Sequence, residues 1–284
     1  MMRRAEPMSD RLRVACVQNC ATTDPGATLT ATEALVRSAS AEGAELVALP
    51  EAFDYLAPTA AKMHAYAKPA SDHLALRHMR TLAAELEIWI LLGSISMRAE
   101  DGAPVNRSLL VDPAGNIRAY YDKVHLFDVD LPDGDSIRES DFYRAGRQRV
   151  VAHTPWGLMG MSICYDMRFP YLYRGFAQAG ASIIAIPAAF SSYTGPLHWE
   201  PLLRARAIET GCYVIAPAQC GDNFPGRRSH GHSLIIDPWG RVLADAGGEP
   251  GVIVADLDLQ EVPAFRASIP SMTFDRTPLE ELIL

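Results

Sequence analysis

The sequence predicts an α/β protein, and three observations carry that prediction. Short apolar runs alternate with longer amphipathic segments along most of the chain, the rhythm of strands and helices packed on a sheet. Two segments, "SLLVDPAGNIRAYY" (108–121) and "SLIIDPWGRVLAD" (233–245), place Asp-Pro-x-Gly between strand-like runs. Pro at the second turn position and Gly at the fourth suit a type I turn, so both read as hairpins. Finally, "AELVALPEAF" (44–53) matches "ASIIAIPAAF" (181–190) through most of its length. Strands of one sheet class look alike, but a strand–helix–strand–hairpin order that occurs twice is better explained by an internal repeat, two half-sheets stacked face to face.

In order, "LRVACVQ" (12–18) reads as a strand. A helix follows over 24–43, with Asp24 as N-cap, Pro25 at its first position and Gly43 past its end. "AELVALP" (44–50) is a strand, 71–87 a helix capped by Ser71 or Asp72, and "IWILLGSIS" (88–96) a strand. The pattern then returns: "GLMGMSIC" strand, "RFPYLYRGFAQAG" helix, "ASIIAIP" strand, "PLHWEPLLRARAIETG" helix, "CYVIAPAQC" strand. The expected organisation is a flexible tail over 1–10, one catalytic-sized domain over 11–260 and a C-terminal tail over 261–284.

Bulk properties remove several function classes. The chain has 284 residues, 49% hydrophobic and 21% charged, with a formal net charge of −8. That charge disfavours nucleic-acid binding, which needs a basic surface. No apolar run approaches the roughly 18 residues of a membrane span. The start, "MMRRAEPMSDRLRV", lacks the apolar core of a secretory signal, and Met8 is an alternative start. Five cysteines, no C-x-x-C pair and no export signal point to reduced thiols in a cytoplasm.

The repeat exposes a difference. Where the second copy has Ala188, the first has Glu51, and a charge at the end of an apolar strand is costly without a partner or a task. Ligand sites of α/β sheets gather at strand carboxyl ends. Cys164, in "GMSICYDMRFP", ends another such strand; a thiol in a strand-to-helix turn can face solvent and feel a helix N-terminus, which favours thiolate. Alone, Cys164 reads more readily as a core thiol. Glu51 is either a base for that thiol or a salt-bridged structural carboxylate. Lys123, in "YYDKVHLFDVD", could stabilise an oxyanion, but a lone lysine is more commonly a surface charge. The acid-rich stretch 128–141 reads as a solvated loop. His230 and His232 in "SHGH" share a face without a third ligand motif, so no metal is expected. Arg227 and Arg228, in "GDNFPGRRSH" (221–230), read as exposed loop residues with an alternative role toward a carboxylate substrate or a partner chain.

Taken together, Glu51 in "LPEAF", Lys123 in "DKVHLFD" and Cys164 in "CYDMRFP" stand in the order and contexts of the nitrilase superfamily of carbon–nitrogen hydrolases, which the chain resembles from about Leu12 to Asp256. The resemblance implies a four-layer α-β-β-α sandwich. It implies a Glu–Lys–Cys triad with a second glutamate, matched by Glu139 in "RESDF". Cys164 would be the nucleophile, Glu51 the general base and acid, Lys123 with the Tyr165 amide the oxyanion donors, and Glu139 a positioning group. Tyr165, Arg168, Thr194 and His198 would contact substrate. No cofactor or metal is implied. The expected reaction is hydrolysis of a small carboxylate-bearing amide to acid plus ammonia through a thioester. "TGPLHWE", "AQCG" and "DPWG" are most similar to the deaminated-glutathione amidase branch. The ω-amidase branch, acting on α-ketoglutaramate and α-ketosuccinamate, is the alternative, with nitrile hydrolysis, a catalytically silent dimeric scaffold and a redox thiol protein as further rivals. The resemblance also implies a homodimer or larger homo-oligomer, the C-terminal tail packing across its interface.

Overall fold

A computed structural model describes residues 9–131 and 136–274. Met8, part of the 128–141 stretch and the 275–284 end of the C-terminal tail lie outside the described residues.

The first half contains β1 (Arg11–Gln18), α1 (Pro25–Ala41), β2 (Leu46–Ala48), α2 (Ala60–Tyr66), α3 (Leu74–Leu86), β3 (Trp89–Arg98), β4 (Pro104–Val111) and β5 (Ile117–Asp122). A small antiparallel pair, β6 (Asp128–Asp130) and β7 (Ser136–Arg138), leads to the second half. That half contains β8 (Val150–Thr154), β9 (Gly157–Met161), α4 (Pro170–Gln178), β10 (Ile183–Ala185), α5 (Gly195–Thr210), β11 (Tyr213–Ala216), a hairpin of β12 (Cys220–Phe224) and β13 (Arg227–His230), then β14 (Leu234–Ile236) and β15 (Val242–Asp245). The chain ends its described course with β16 (Gly251–Asp258) and α6 (Glu261–Ser268).

Two six-stranded sheets result, ordered β16-β1-β2-β3-β4-β5 and β15-β14-β11-β10-β9-β8. Each has three parallel strands at its centre, an antiparallel hairpin on one side and one antiparallel strand on the other. The internal repeat read from the sequence is therefore the architecture. Its two turns close alike: Gly115 N donates to the Asp112 carbonyl at 2.8 Å and Gly240 N to the Asp237 carbonyl at 2.9 Å.

The pleat sorts side chains between two cores. Val14, Cys16, Leu46, Ala48, Leu91 and Leu110 join Met159, Met161, Ile183 and Ala185 between the sheets. Their neighbours Ala15, Val17, Val47, Ile90 and Leu92 pack outward under Leu29 and Val36 of α1 and Leu76 and Met79 of α3. Phe176 of α4 and Trp199 and Leu203 of α5 cover the second sheet. This is the four-layer α-β-β-α sandwich.

Helix α1 begins as its sequence predicts, Asp24 accepting from the Gly26 and Ala27 amides. Helix α3 departs from expectation. Ser71 and Asp72 do not cap it; Asp72 N and His73 N both bind the Pro69 carbonyl, at 3.0 and 3.1 Å, and that turn delays the helix to Leu74 with His73 at the N-cap. The first residues of the C-terminal tail turn back on the molecule, with Val262 and Phe265 of α6 buried.

Candidate active site

Strand β9 delivers the chain to a short 3-10 turn, Cys164–Arg168. Cys164 opens it at φ 47°, a left-handed conformation that a residue with a side chain adopts only when its surroundings hold it. They do: Cys164 N donates to the Pro187 carbonyl at 2.8 Å. Asp166, fully buried, takes bonds from Ile163 N (2.8 Å), Tyr121 Oη (2.8 Å), His125 N (3.0 Å) and His125 Nδ1 (2.6 Å). Asp166 thus fastens the cysteine turn to the segment that carries Lys123. Tyr165 is second in the turn, where an amide has no intrahelical acceptor.

Glu51 follows β2 across a close approach of two backbones. A Cβ on Gly93 would lie 1.9 Å from the Leu49 carbonyl oxygen, so only glycine fits there. The bulge beside Gly93 turns Ser94 toward the loop, where its Oγ accepts from Ala52 N at 3.0 Å. The Glu51 carboxylate then meets four donors. Oε1 binds Lys123 Nζ at 2.8 Å and Asn106 Nδ2 at 2.9 Å, Oε2 binds Ala189 N at 2.8 Å, and the Cys164 thiol completes the set.

Lys123 is buried, against the surface position a lone lysine suggests. Its ammonium lies between Glu51 and Glu139, at 2.8 Å from Glu139 Oε2. Glu139 also binds Asn106 Nδ2 at 3.1 Å and Phe127 N at 2.6 Å, so this carboxylate of the acid-rich stretch is not solvated. The structure therefore brings Glu51, Lys123, Glu139 and Cys164 into one cluster.

The electrostatics divide the two carboxylates. Burial alone would raise Glu51, but the Lys123 charge and the bonds from Lys123, Ala189 N and the thiol hold it below the ordinary carboxylate range. Glu139 is pushed upward by burial and by the Glu51 charge, which together outweigh Lys123. Burial works against the Lys123 ammonium, yet the two carboxylates keep it firmly protonated. Cys164 is buried, as a core thiol would be, yet it lines the pocket, and a 3-10 turn separates it from α4, which begins at Pro170. Burial and the Glu51 charge raise its pKa well above that of a free thiol, with Lys123 offsetting them in part. The resting group is a thiol, and to react as a nucleophile it would need a base.

These groups line a pocket of about 360 Å³. Tyr55, Phe127, Phe142, Tyr165 and Phe190 supply apolar walls, and Arg168, Thr194 and Arg227 supply further polar groups. Tyr165, Arg168 and Thr194 thus sit where the sequence reading put them. His198 is not among the lining residues; its Nδ1 holds Arg168 Nη2 at 3.2 Å from behind. Arg227 is part of the wall and belongs to the β12–β13 hairpin rather than to a loose loop. Asn106 was missed. Its signal was an amide inside the apolar strand "PVNRSLLV", where it is costly unless bonded. His230 and His232 stack at 4.8 Å, His232 facing Asp245, and no group of three His, Cys, Asp or Glu residues fit to hold a metal occurs among the described residues.

A family model described as carbon-nitrogen hydrolase matches residues 13–267. The chain is 43% identical over 244 residues to a deaminated glutathione amidase of Synechocystis, an alignment that covers 84% of this chain and 89% of that protein. It is 43% identical over 250 residues to a deaminated glutathione amidase of Mus musculus, covering 86% and 77%. The fold matches the crystal structure of the C. elegans NitFhit protein with a TM-score of 0.88 at 36% identity, over 95% of this chain and 66% of that longer one. With an alignment that spans nearly the whole sandwich, the chain belongs to the carbon–nitrogen hydrolase family.

Proposed function

We propose that the protein is a thiol amidase whose substrate is deaminated glutathione. The observation that carries this reading is the convergence of the Cys164 thiol and the Lys123 ammonium on one carboxylate, Glu51, inside a pocket. The activity named for the Synechocystis and mouse relatives supports the substrate.

Glu51 takes the thiol proton as Sγ attacks the amide carbon. Lys123 Nζ and the Tyr165 amide receive the developing oxyanion. As Lys123 turns its charge to that oxygen, its hold on Glu51 relaxes and Glu51 becomes the stronger base. The carbon–nitrogen bond then breaks, Glu51 protonates the departing amine, and a thioester remains on Cys164. Water, deprotonated by Glu51, releases the acid and restores the thiol. Glu139 holds Lys123 in place throughout. In deaminated glutathione the scissile amide joins a keto-acid acyl group to cysteinylglycine. The product is therefore that dipeptide's amine, and ammonia is expected only from primary amides.

We place the enzyme in a cytoplasm as a homodimer. Five free cysteines, four of them buried, suit a reducing compartment. Tyr171, Leu197, Ile208 and Trp239 are large and exposed on α4, α5 and the Asp237 turn, which suits a covered face.

The test is a panel of deaminated glutathione, α-ketoglutaramate, α-ketosuccinamate, a simple amide and a nitrile, with amine, ammonia and acid measured. Deaminated glutathione should give the highest kcat/KM, and Cys164→Ala should lose at least about 10³-fold in rate. A panel in which nothing exceeds the Cys164→Ala control removes the amidase reading. A clear preference for a primary keto-acid amide replaces the substrate.

A further inference from the structure

We infer that the β12–β13 hairpin forms a subsite for the leaving group, in which Arg227 takes a carboxylate borne by the departing amine. The inference rests on the proposed reaction, and four observations lead to it.

The hairpin is anchored at its base and free at its tip. Cys220 N binds the Asn19 carbonyl at 3.0 Å, buried Asn223 donates to the Ala21 carbonyl at 2.9 Å, and Ser229 Oγ donates to Asn223 Oδ1 at 2.7 Å. The tip turns through Pro225 and Gly226, the latter at φ 85°, as a tight turn of that dipeptide requires. Arg227 is the first residue beyond it.

Arg227 stands on a divide. The catalytic pocket adjoins a second concavity of about 470 Å³ lined by Ser192, Asp222, Pro225 and Arg228, and Phe224, Gly226 and Arg227 line both. A substrate longer than a primary amide would cross at this point.

Arg227 is also on the proton-donor side of the site. Its Nη2 binds the Ala189 carbonyl at 2.7 Å, and Ala189 N binds Glu51 Oε2 at 2.8 Å. The leaving nitrogen must reach Glu51 for its proton, so the leaving group extends along this wall. Arg168 is held differently. It shares the 3-10 turn of Cys164, lies over the Tyr165 and Phe190 rings and has a neutral neighbour, His198 Nδ1, at 3.2 Å.

Finally, Arg227 has no carboxylate within ion-pair distance among the described residues, whereas Arg228 faces Asp222 at 3.2 Å. One N–H of the half-buried Arg227 guanidinium serves the backbone and the others remain for a planar, bidentate carboxylate contact. A dipeptide amine ending in a carboxylate has the length and charge to use it. A primary amide expels ammonia and gains nothing there.

The experiment compares two substrates that share the keto-acid acyl group. One carries cysteinylglycine, the other the same dipeptide with a C-terminal carboxamide. Wild-type kcat/KM should favour the free carboxylate by about tenfold or more, as expected for a charge-assisted bond. In Arg227→Gln that ratio should fall toward one, mainly through KM, and Arg227→Lys should restore part of it. Because each ratio is internal to one protein, a general loss of activity does not imitate the effect. A wild-type enzyme indifferent to the carboxylate, or a ratio preserved in Arg227→Gln, overturns the subsite and leaves the amidase reading standing. Failure of the wild type to release amine from either substrate overturns the proposed reaction and the subsite with it.

Discussion

In the first copy of the repeated unit the loop after β2 reads Leu49-Pro50-Glu51-Ala52-Phe53; in the second, the loop after β10 reads Ile186-Pro187-Ala188-Ala189-Phe190. The backbones agree where the strands end and part within the loop, where Ala52 takes a left-handed φ of 51° that Ala189 does not share. Leu49 N donates to the Leu91 carbonyl at 2.9 Å and Ile186 N to the Ile215 carbonyl at 2.9 Å. Strand registers extend the match: Leu46 pairs with Val14 as Ile183 pairs with Met159, which sets Asn19 opposite Cys164. Counted from the turn residues Asp112 and Asp237, Lys123 matches Gly248 and Asn106 matches Gly231. The first copy thus holds the acid, the ammonium and the amide side chain. The second holds the thiol and, in Ala189 N, a backbone donor. Asn19, in the place of the thiol, only ties the frame together, donating to Thr32 Oγ1 and the Phe53 carbonyl at 2.7 Å each. Stacking the copies brings two sets of strand ends together, and a buried charge made in one copy finds its last donors in the other.

The largest effects should come from exchanging the character of the two loops. Glu51→Gln keeps an oxygen for Ala189 N but cannot accept the thiol proton. Its kcat should fall by about 10²–10⁴-fold with the fold retained, and an unchanged rate removes Glu51 as the base. Ala188→Glu makes the reverse change. Ala188 is fully buried, and its loop has no counterpart of Lys123. The new carboxylate should cost about 3–5 kcal/mol of stability without adding activity. Chemical denaturation measures it; a variant as stable as wild type would mean that the loop tolerates charge and that the asymmetry has another origin.

Glu139 lies between the copies and tests a smaller share of the same design. In Glu139→Gln, Lys123 keeps Glu51 but loses the partner that fixes its direction. A loss of about 10²-fold or less in kcat is expected, the scale of a misplaced group rather than a missing one. A loss as large as that of Glu51→Gln would assign Glu139 a proton-transfer role instead.

How much of this was legible in the sequence follows from how local each signal is. The sandwich was legible because strand–helix alternation, the two Asp-Pro-x-Gly turns and the repeated loop are written in contiguous residues. Glu51 and Cys164 were legible by position, as polar groups that end apolar strands. Lys123 was not, because its burial depends on carboxylates that reach it from separate loops, at 51 and 139. Arg227 looked like surface for the same reason: β13 is laid on Phe190 and Ser191, far away in sequence. His198 and Arg168 were both read as substrate contacts, and only geometry separates the one that faces the pocket from the one that holds it. The late start of α3 escaped because the Pro69 carbonyl takes the Asp72 and His73 amides and holds those residues in a turn ahead of the helix.

One further position separates the loops by pH. Asp54 follows Phe53 as Ser191 follows Phe190. Ser191 bridges to Ser229 at the pocket rim, whereas Asp54 is buried, bound by Tyr66 Oη at 2.8 Å and 4.0 Å from His73 Nε2. Burial raises its pKa from 3.8 to about 7, and burial lowers that of His73 from 6.5 to about 4. The folded state therefore keeps the Asp54 proton through a range in which the unfolded chain has lost it. Stability from this group is full below about pH 4 and declines as pH rises to about 7, since the native state there binds more protons. His73 acts in the opposite sense, losing stability as pH falls from about 6.5 toward 4, so the wild-type profile is partly levelled. Asp54→Asn removes the first contribution and leaves the second. Its Tm relative to wild type should rise steadily from pH 4 to 7 and then level off, by calorimetry across that range. A difference between the two proteins that stays constant with pH would show that Asp54 is already ionised in the fold, with its charge met by His73.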